Sequence, residues 1–183
     1  MKNNRLLNLA FLGCGFATRL HSKTLSNFKR DVRCYYASRS RDKAIAYNSK
    51  YKGSGYFASY ADAIADANID VVLVATPPAY HLDLALQAMR SGKHVIVEKP
   101  PFLRASDFDT IREVQAETRR RVFVAENYFY KPIAYKLREL IRDELIGEVL
   151  FVYINALKAQ TTGDCVMMLN CQEAHSLRAA STG

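Results

Sequence analysis

The stretch LNLAFLGCGFATRLH, residues 7–21, constrains the fold more than any other part of the chain. An apolar run broken only by Asn8 passes straight into Gly13, Gly15 follows two positions later, and a helical pattern begins. A short apolar run of this kind near the start of a chain reads as a strand buried on both faces, the form taken by strands of parallel sheets. Gly13 permits a tight turn after it. Gly15 has no Cβ to keep a pyrophosphate from the amides at the N-terminus of the next helix, so the stretch reads as the opening strand, turn and helix of a dinucleotide-binding unit. Glycine pairs also occur in turns that bind nothing, so the weight rests on the pattern of the chain beyond residue 21.

That pattern repeats the same grammar. Residues 16–28 read as a helix and 31–37 (DVRCYYA) as a second strand; after a break at 38–42, a polar helix runs over 43–51, and a short strand comes at 56–57. Ser59 is placed to cap a helix through 64–67. The strongest strand signal is DVVLVA, residues 70–75, stopped by Thr76-Pro77-Pro78, with a helix over 80–91 that Gly92 ends. Residues 94–97 form another apolar strand ending in Glu98-Lys99-Pro100-Pro101, Ser106 and Asp109 start a helix to 118, and 122–125 is a further strand. Strands alternating with helices imply crossover connections, hence an α/β doubly wound parallel sheet over residues 1–126. From residue 127 the pattern changes. Pro132 begins an amphipathic helix to 143, Gly147 stops it, and EVLFVYINAL (148–157) reads as a strand, so 127–164 looks like the start of a second α/β domain.

In open parallel sheets, ligands bind outside the carboxyl ends of the strands, where Gly13–Gly15, Thr76-Pro77 and Glu98-Lys99 would meet. A site for NAD usually has an acid at the end of the second strand to accept from the ribose hydroxyls. Here Ser38 and Arg39 stand there, with Arg41 nearby, which leans toward the 2′-phosphate of NADP; Arg39 stacked on an adenine would fit NAD as well. Lys99 is the candidate catalytic cation, able to hydrogen-bond a substrate hydroxyl as it loses its proton, with Glu98 fixing local geometry or meeting the nicotinamide ribose. A solvated Glu-Lys-Pro loop is the plain alternative.

Charge and cysteine usage narrow the class further. The net charge of +8 is spread along the chain, and the densest run, Arg119 to Arg121, lies where a helix end meets a strand, so no nucleic-acid surface is indicated. The 4 cysteines have no metal-ligand spacing, which fits reduced thiols. No apolar run approaches the roughly 18 residues of a membrane span and no signal-peptide pattern is present, giving a cytoplasmic expectation.

Gly13-Cys14-Gly15 with His21, then Ser38-Arg39, then VVLVATPPAYHLDLALQAMRSGKHVIVEKP and YFYKPIAYKLRELIRDELIGEV, resemble the Gfo/Idh/MocA family of nicotinamide-dependent oxidoreductases over residues 7–158. The resemblance implies a Rossmann domain followed by a domain with an open antiparallel sheet, acting on a sugar, inositol or related polyol, and a homo-oligomer in the full-length form. By position it puts Gly13, Gly15 and Phe16 at the pyrophosphate, Ser38 and Arg39 at the adenosine ribose, Thr76, Pro77 and His81 in the cofactor crevice, and Glu98 and Lys99 at the nicotinamide and substrate. A non-catalytic, cofactor-binding regulator or sensor is the alternative from another class.

Two departures stand out. Thr18 occupies a position where the family has alanine or glycine, predicting a looser contact between helix and strand. Beyond Thr162-Gly163-Asp164 the chain reads CVMMLNCQEAHSLRAASTG rather than the Trp-Arg-Asp expected from the resemblance. Loss of one base would turn codons for Trp-Arg-Asp into Cys165-Val166-Met167, so 165–183 is expected to be a frameshifted tail of a truncated reading frame, with His175 no substitute for the family's acid–base histidine. The nucleotide sequence across Asp164 checks this.

Overall fold

Strand β1 (Leu7–Leu12) lies inside a six-stranded sheet of order β3-β2-β1-β4-β5-β6, in which every neighbouring pair is parallel. The other strands are β2 (Val32–Ala37), β3 (Gly55–Phe57), β4 (Val71–Val74), β5 (His94–Val97) and β6 (Val122–Val124). This computed structural model describes residues 6–153; the expected tail, 165–183, lies outside the described residues. Two compact units divide the chain between Arg138 and Glu139, and the sheet belongs to the first.

Both faces of the sheet are apolar because β1 alternates. Ala10 and Leu12 join one buried cluster, with Ala63 and Ile64 of α3 (Tyr60–Ala65), Leu84 and Met89 of α4 (His81–Arg90) and Ile111 and Val114 of α5 (Ala105–Thr118). Leu9 and Phe11 join the other, with Leu25 of α1 (Phe16–Leu25) and Tyr47 and Tyr51 of α2 (Arg41–Tyr51) packed against it. Phe11 and Tyr36 stack at 5.3 Å and 9°, a geometry that adds about 1 kcal/mol beyond area burial. Helices on both faces make this the doubly wound, Rossmann-type α/β fold expected, and the strand order reverses direction between β1 and β4.

Local chemistry sets the boundaries. Ser40 and Ser59 cap α2 and α3, accepting the amides of Lys43 at 3.5 Å and Asp62 at 3.0 Å. Helix α5 begins earlier than expected. Asp107, rather than Asp109 or Ser106, satisfies its start by accepting the Arg104 amide at 3.0 Å. Helix α1 ends at Leu25 and continues to Phe28 only as a 3-10 turn. The buried Lys93 donates to the Asp66 carbonyl at 2.6 Å, tying the end of α3 to the approach to β5.

The final helix, α6 (Pro132–Arg142), starts at the expected proline but ends before Gly147, with Glu144 already left-handed at φ 54°. Residues 148–153, expected to open a strand, are not in one, and Leu150 and Phe151 are exposed. A strand exists through pairing, and no described strand pairs with this segment. The remainder of that expected strand, 154–157, lies outside the described residues.

Candidate active site

The crevice opens where β1 and β4 end side by side. Gly13 has φ +115°, and a Cβ there would lie 2.6 Å from the Ala75 carbonyl oxygen, so only glycine lets the turn pass so close to the end of β4. Gly15, which precedes α1, faces open space, with nothing within 4 Å of the Cβ position. Among the described residues no side chain caps α1. The backbone amides of residues 14–18 have no hydrogen-bond acceptor among the described residues, leaving a row of donors at a helix N-terminus for an anion.

Two cavities that share Arg39, Tyr60, Thr76 and Pro77 extend from this turn. One, of about 340 Å³, includes Gly13, Gly15, Ser38 and Lys43 in its lining; the other, about 210 Å³, runs under Tyr80 toward α4. Thr76 Oγ1 is buried in this wall without a hydrogen-bond partner among the described residues, an open polar valence of the kind a ligand satisfies. Ser38 is buried and its hydroxyl accepts the Ser40 amide at 3.2 Å, while the Arg39 guanidinium stands over the Tyr80 ring at 5.7 Å. Asp83, on α4, is the single carboxylate among the residues lining the two cavities. Open space at Gly15, free amides and an unpaired Thr76 hydroxyl together fit a dinucleotide.

Glu98 and Lys99 follow β5 at the same carboxyl end of the sheet. Glu98 is held from two directions: His21 Nε2 donates to its Oε1 at 2.5 Å, and the Lys99 amide donates to its Oε2 at 3.1 Å. Because a carboxylate only accepts, Nε2 carries the proton in this bond. Burial raises the Glu98 pKa, but the His21 bond, the Lys99 amide and the charges of both residues outweigh it, and the carboxyl lies below its usual range. A pKa depressed by folding gives stability that is complete above the unfolded value and is lost as pH falls through the folded one. The melting temperature of wild type is therefore expected to fall more steeply toward acid than that of Glu98→Gln; parallel acid limbs would contradict the lowered Glu98 pKa.

The Lys99 side chain is exposed. Phe16 is 64% exposed, with the Arg19 guanidinium over its ring at 4.9 Å, so what it offers an anion is its amide.

Two expectations need correction. His81 does not face the crevice. It is 1% exposed, with Nε2 at 2.8 Å from the Thr76 carbonyl and Nδ1 at 3.0 Å from that of Pro100, and it braces the crevice wall from behind. Thr18 does not loosen the helix contact either. It is fully buried, and its hydroxyl donates to the Gly13 carbonyl at 2.6 Å. Sequence reasoning missed Lys43, Tyr60 and Tyr80 as wall residues and His21 as the partner of Glu98; a lysine in the first turn after the Ser40 cap was the one readable signal. Cys14, beside the turn, is kept protonated by burial, which pushes its thiol up to about 11.

The oxidoreductase family with an NAD-binding Rossmann fold, Gfo/Idh/MocA, matches residues 7–126. The chain belongs to the Gfo/Idh/MocA family. Oxidoreductase P35 of Formosa agariphila is 26% identical over 85% of this chain and 49% of its own. D-xylose 1-dehydrogenase (NADP(+)) of Hypocrea jecorina is 29% identical over 69% of this chain and 30% of its own. The fold is shared with the crystal structure of myo-inositol 2-dehydrogenase from Lactobacillus plantarum, at a TM-score of 0.70 and 20% identity over 79% of this chain and 43% of that one. This Gfo/Idh/MocA chain thus spans about half the length, or less, of the curated relatives it matches. Among its described residues no helix is long and apolar enough to cross a membrane.

Proposed function

We propose that this chain forms the cofactor half of an enzyme that moves a hydride between NAD(P) and a CH–OH group of a sugar, inositol or related polyol. The observation that carries the reading is the placement, at the carboxyl ends of the strands, of the unpaired amides after Gly13 with Glu98 and Lys99. When bound, the nicotinamide supplies the carbon that gives or takes the hydride. The free amides of residues 14–18 bind the pyrophosphate, and the Thr76 hydroxyl bonds the cofactor along the wall. Glu98, ionised and fixed by His21, accepts from a ribose hydroxyl. Lys99 holds the substrate oxygen and steadies its charge as the proton leaves. Carbinol-bearing substrates are supported by the relatives named for xylose and inositol.

NADP is the favoured cofactor. Ser38, Arg39 and Lys43 surround the end of β2, and the carboxylate lining these two cavities, Asp83, belongs to α4 instead. A charge-assisted bond to the 2′-phosphate implies that Arg39→Ala lowers the ratio of NADPH to NADH affinity by about 10- to 100-fold. An unchanged ratio would remove Arg39 from phosphate recognition.

Fluorescence titration with NADPH and NADH, alongside absorbance at the nicotinamide band over a polyol panel, tests the whole reading. Binding of either nucleotide is expected. Failure of both to bind overturns it, and binding without turnover by any version carrying a complete second domain favours a sensor.

A further inference from the structure

The Gly13 and Gly15 carbonyls are held by side chains, while the amides that follow Gly13 are left free. Thr18, one turn into α1, donates its hydroxyl to the Gly13 carbonyl at 2.6 Å. Tyr47, on α2, donates to the Gly15 carbonyl at 3.1 Å, which also accepts the Arg19 amide at 3.1 Å. In a planar trans peptide the C=O and the next N–H point in opposite directions. Fixing Gly13 O therefore fixes the Cys14 N–H, and fixing Gly15 O fixes the Phe16 N–H.

The distinction matters because glycine peptides rotate at little steric cost. A rotated peptide would present a partially negative oxygen to the ligand's phosphates in place of an N–H, turning a favourable contact into a repulsive one. Thr18 is itself anchored. Its backbone carbonyl accepts the Ser22 hydroxyl at 2.6 Å, and Ser22 Oγ accepts the Tyr36 hydroxyl at 3.0 Å, a buried line of hydroxyls running back to β2.

We propose that Thr18 and Tyr47 are positioning residues for the cofactor, their hydroxyls locking the Gly13–Cys14 and Gly15–Phe16 peptides with the N–H groups toward the pyrophosphate. The proposal rests on the dinucleotide reading and adds which side chains aim its amides. Neither residue touches the ligand. Their effect is confined to the part of it that carries the pyrophosphate.

The test uses the whole chain with ADP-ribose and adenosine as probes. Thr18→Val and Tyr47→Phe, each losing one hydroxyl, should weaken ADP-ribose binding by about three- to tenfold, while adenosine binding stays unchanged and Thr18→Ser restores wild-type affinity. A merely structural role would weaken both probes together, and that result overturns the proposal, as does ADP-ribose binding unaffected in both variants. If Thr18→Val does not fold, Tyr47→Phe decides alone. Wild type that binds neither ADP-ribose nor NADPH overturns the dinucleotide reading itself, whereas wild type that binds with unaltered variants overturns only the role of the hydroxyls.

Discussion

Lys99→Ala is expected to lower turnover by about 10²- to 10⁴-fold in a version carrying a complete second domain, the range for removing a group that assists proton transfer. NADPH affinity should change less than about threefold, within what loss of a single exposed charge does. The asymmetry follows from placement. Lys99 follows β5, outside the lining of the two cavities that Arg39 and Thr76 share, and its side chain stands in solvent, available to a second ligand. Its backbone has a separate task, the amide bond to Glu98 at 3.1 Å, which alanine retains. The measurements are steady-state rates and a fluorescence titration on the same preparation. Equal losses in both would mean that Lys99 belongs to cofactor binding, and no loss in either would remove it from the chemistry.

Gly13→Ala should be the most damaging small substitution in the turn. The new Cβ would sit 2.6 Å from the Ala75 oxygen and 3.0 Å from its carbon, both backbone, at φ +115°. Left-handed strain costs about 1–2 kcal/mol and the overlap about 1–3 more, so the melting temperature should fall by about 10 °C with loss of dinucleotide binding. Gly15→Ala serves as the contrast. Its Cβ meets nothing within 4 Å, so stability should hold while ADP-ribose affinity drops. If both variants melt like wild type, the close approach of turn and β4 is not a feature of the folded protein.

The central strands were the most legible part of the chain. Leu7–Leu12 and His94–Val97 stand where their apolar runs put them, because burial on two faces leaves no other pattern. Helix starts were less readable. Asp107 reaches back to Arg104 in a geometry that the preceding loop decides, and nothing in the spacing favoured it over Asp109. In the candidate site, that the glycines and Arg39 lie along one crevice could be read because backbone conformation and charge belong to the residue type. The roles of His21, Thr18 and His81 could not. Each depends on a partner at a distance set by the fold: Glu98 for His21, the Gly13 carbonyl for Thr18, the Pro100 carbonyl for His81. Residues 148–153 failed as a strand for the same reason, since pairing is not a property of one segment.

The adjacency of β1 and β4 would make a bound dinucleotide a brace between two halves of the sheet. Along the seam four residue pairs, Leu9 with Val71 through Leu12 with Val74, join one βαβ half to the other, with Asn8 bridging to Asn68 and Asp70 at the far end. A dinucleotide laid across the open end would touch the β1 turn, the β2 end and the β4 end at once, so the halves cannot part without releasing it. Ligand at a hundred times its dissociation constant adds about 2.7 kcal/mol to such a fold. Such a ligand would reinforce the seam, a contact that joins segments far apart in the chain and is costly to form for that reason. Under the proposed function the site would double as the clasp of the sheet, and the protein saturated with nicotinamide nucleotide would be a tighter object than the same protein without it.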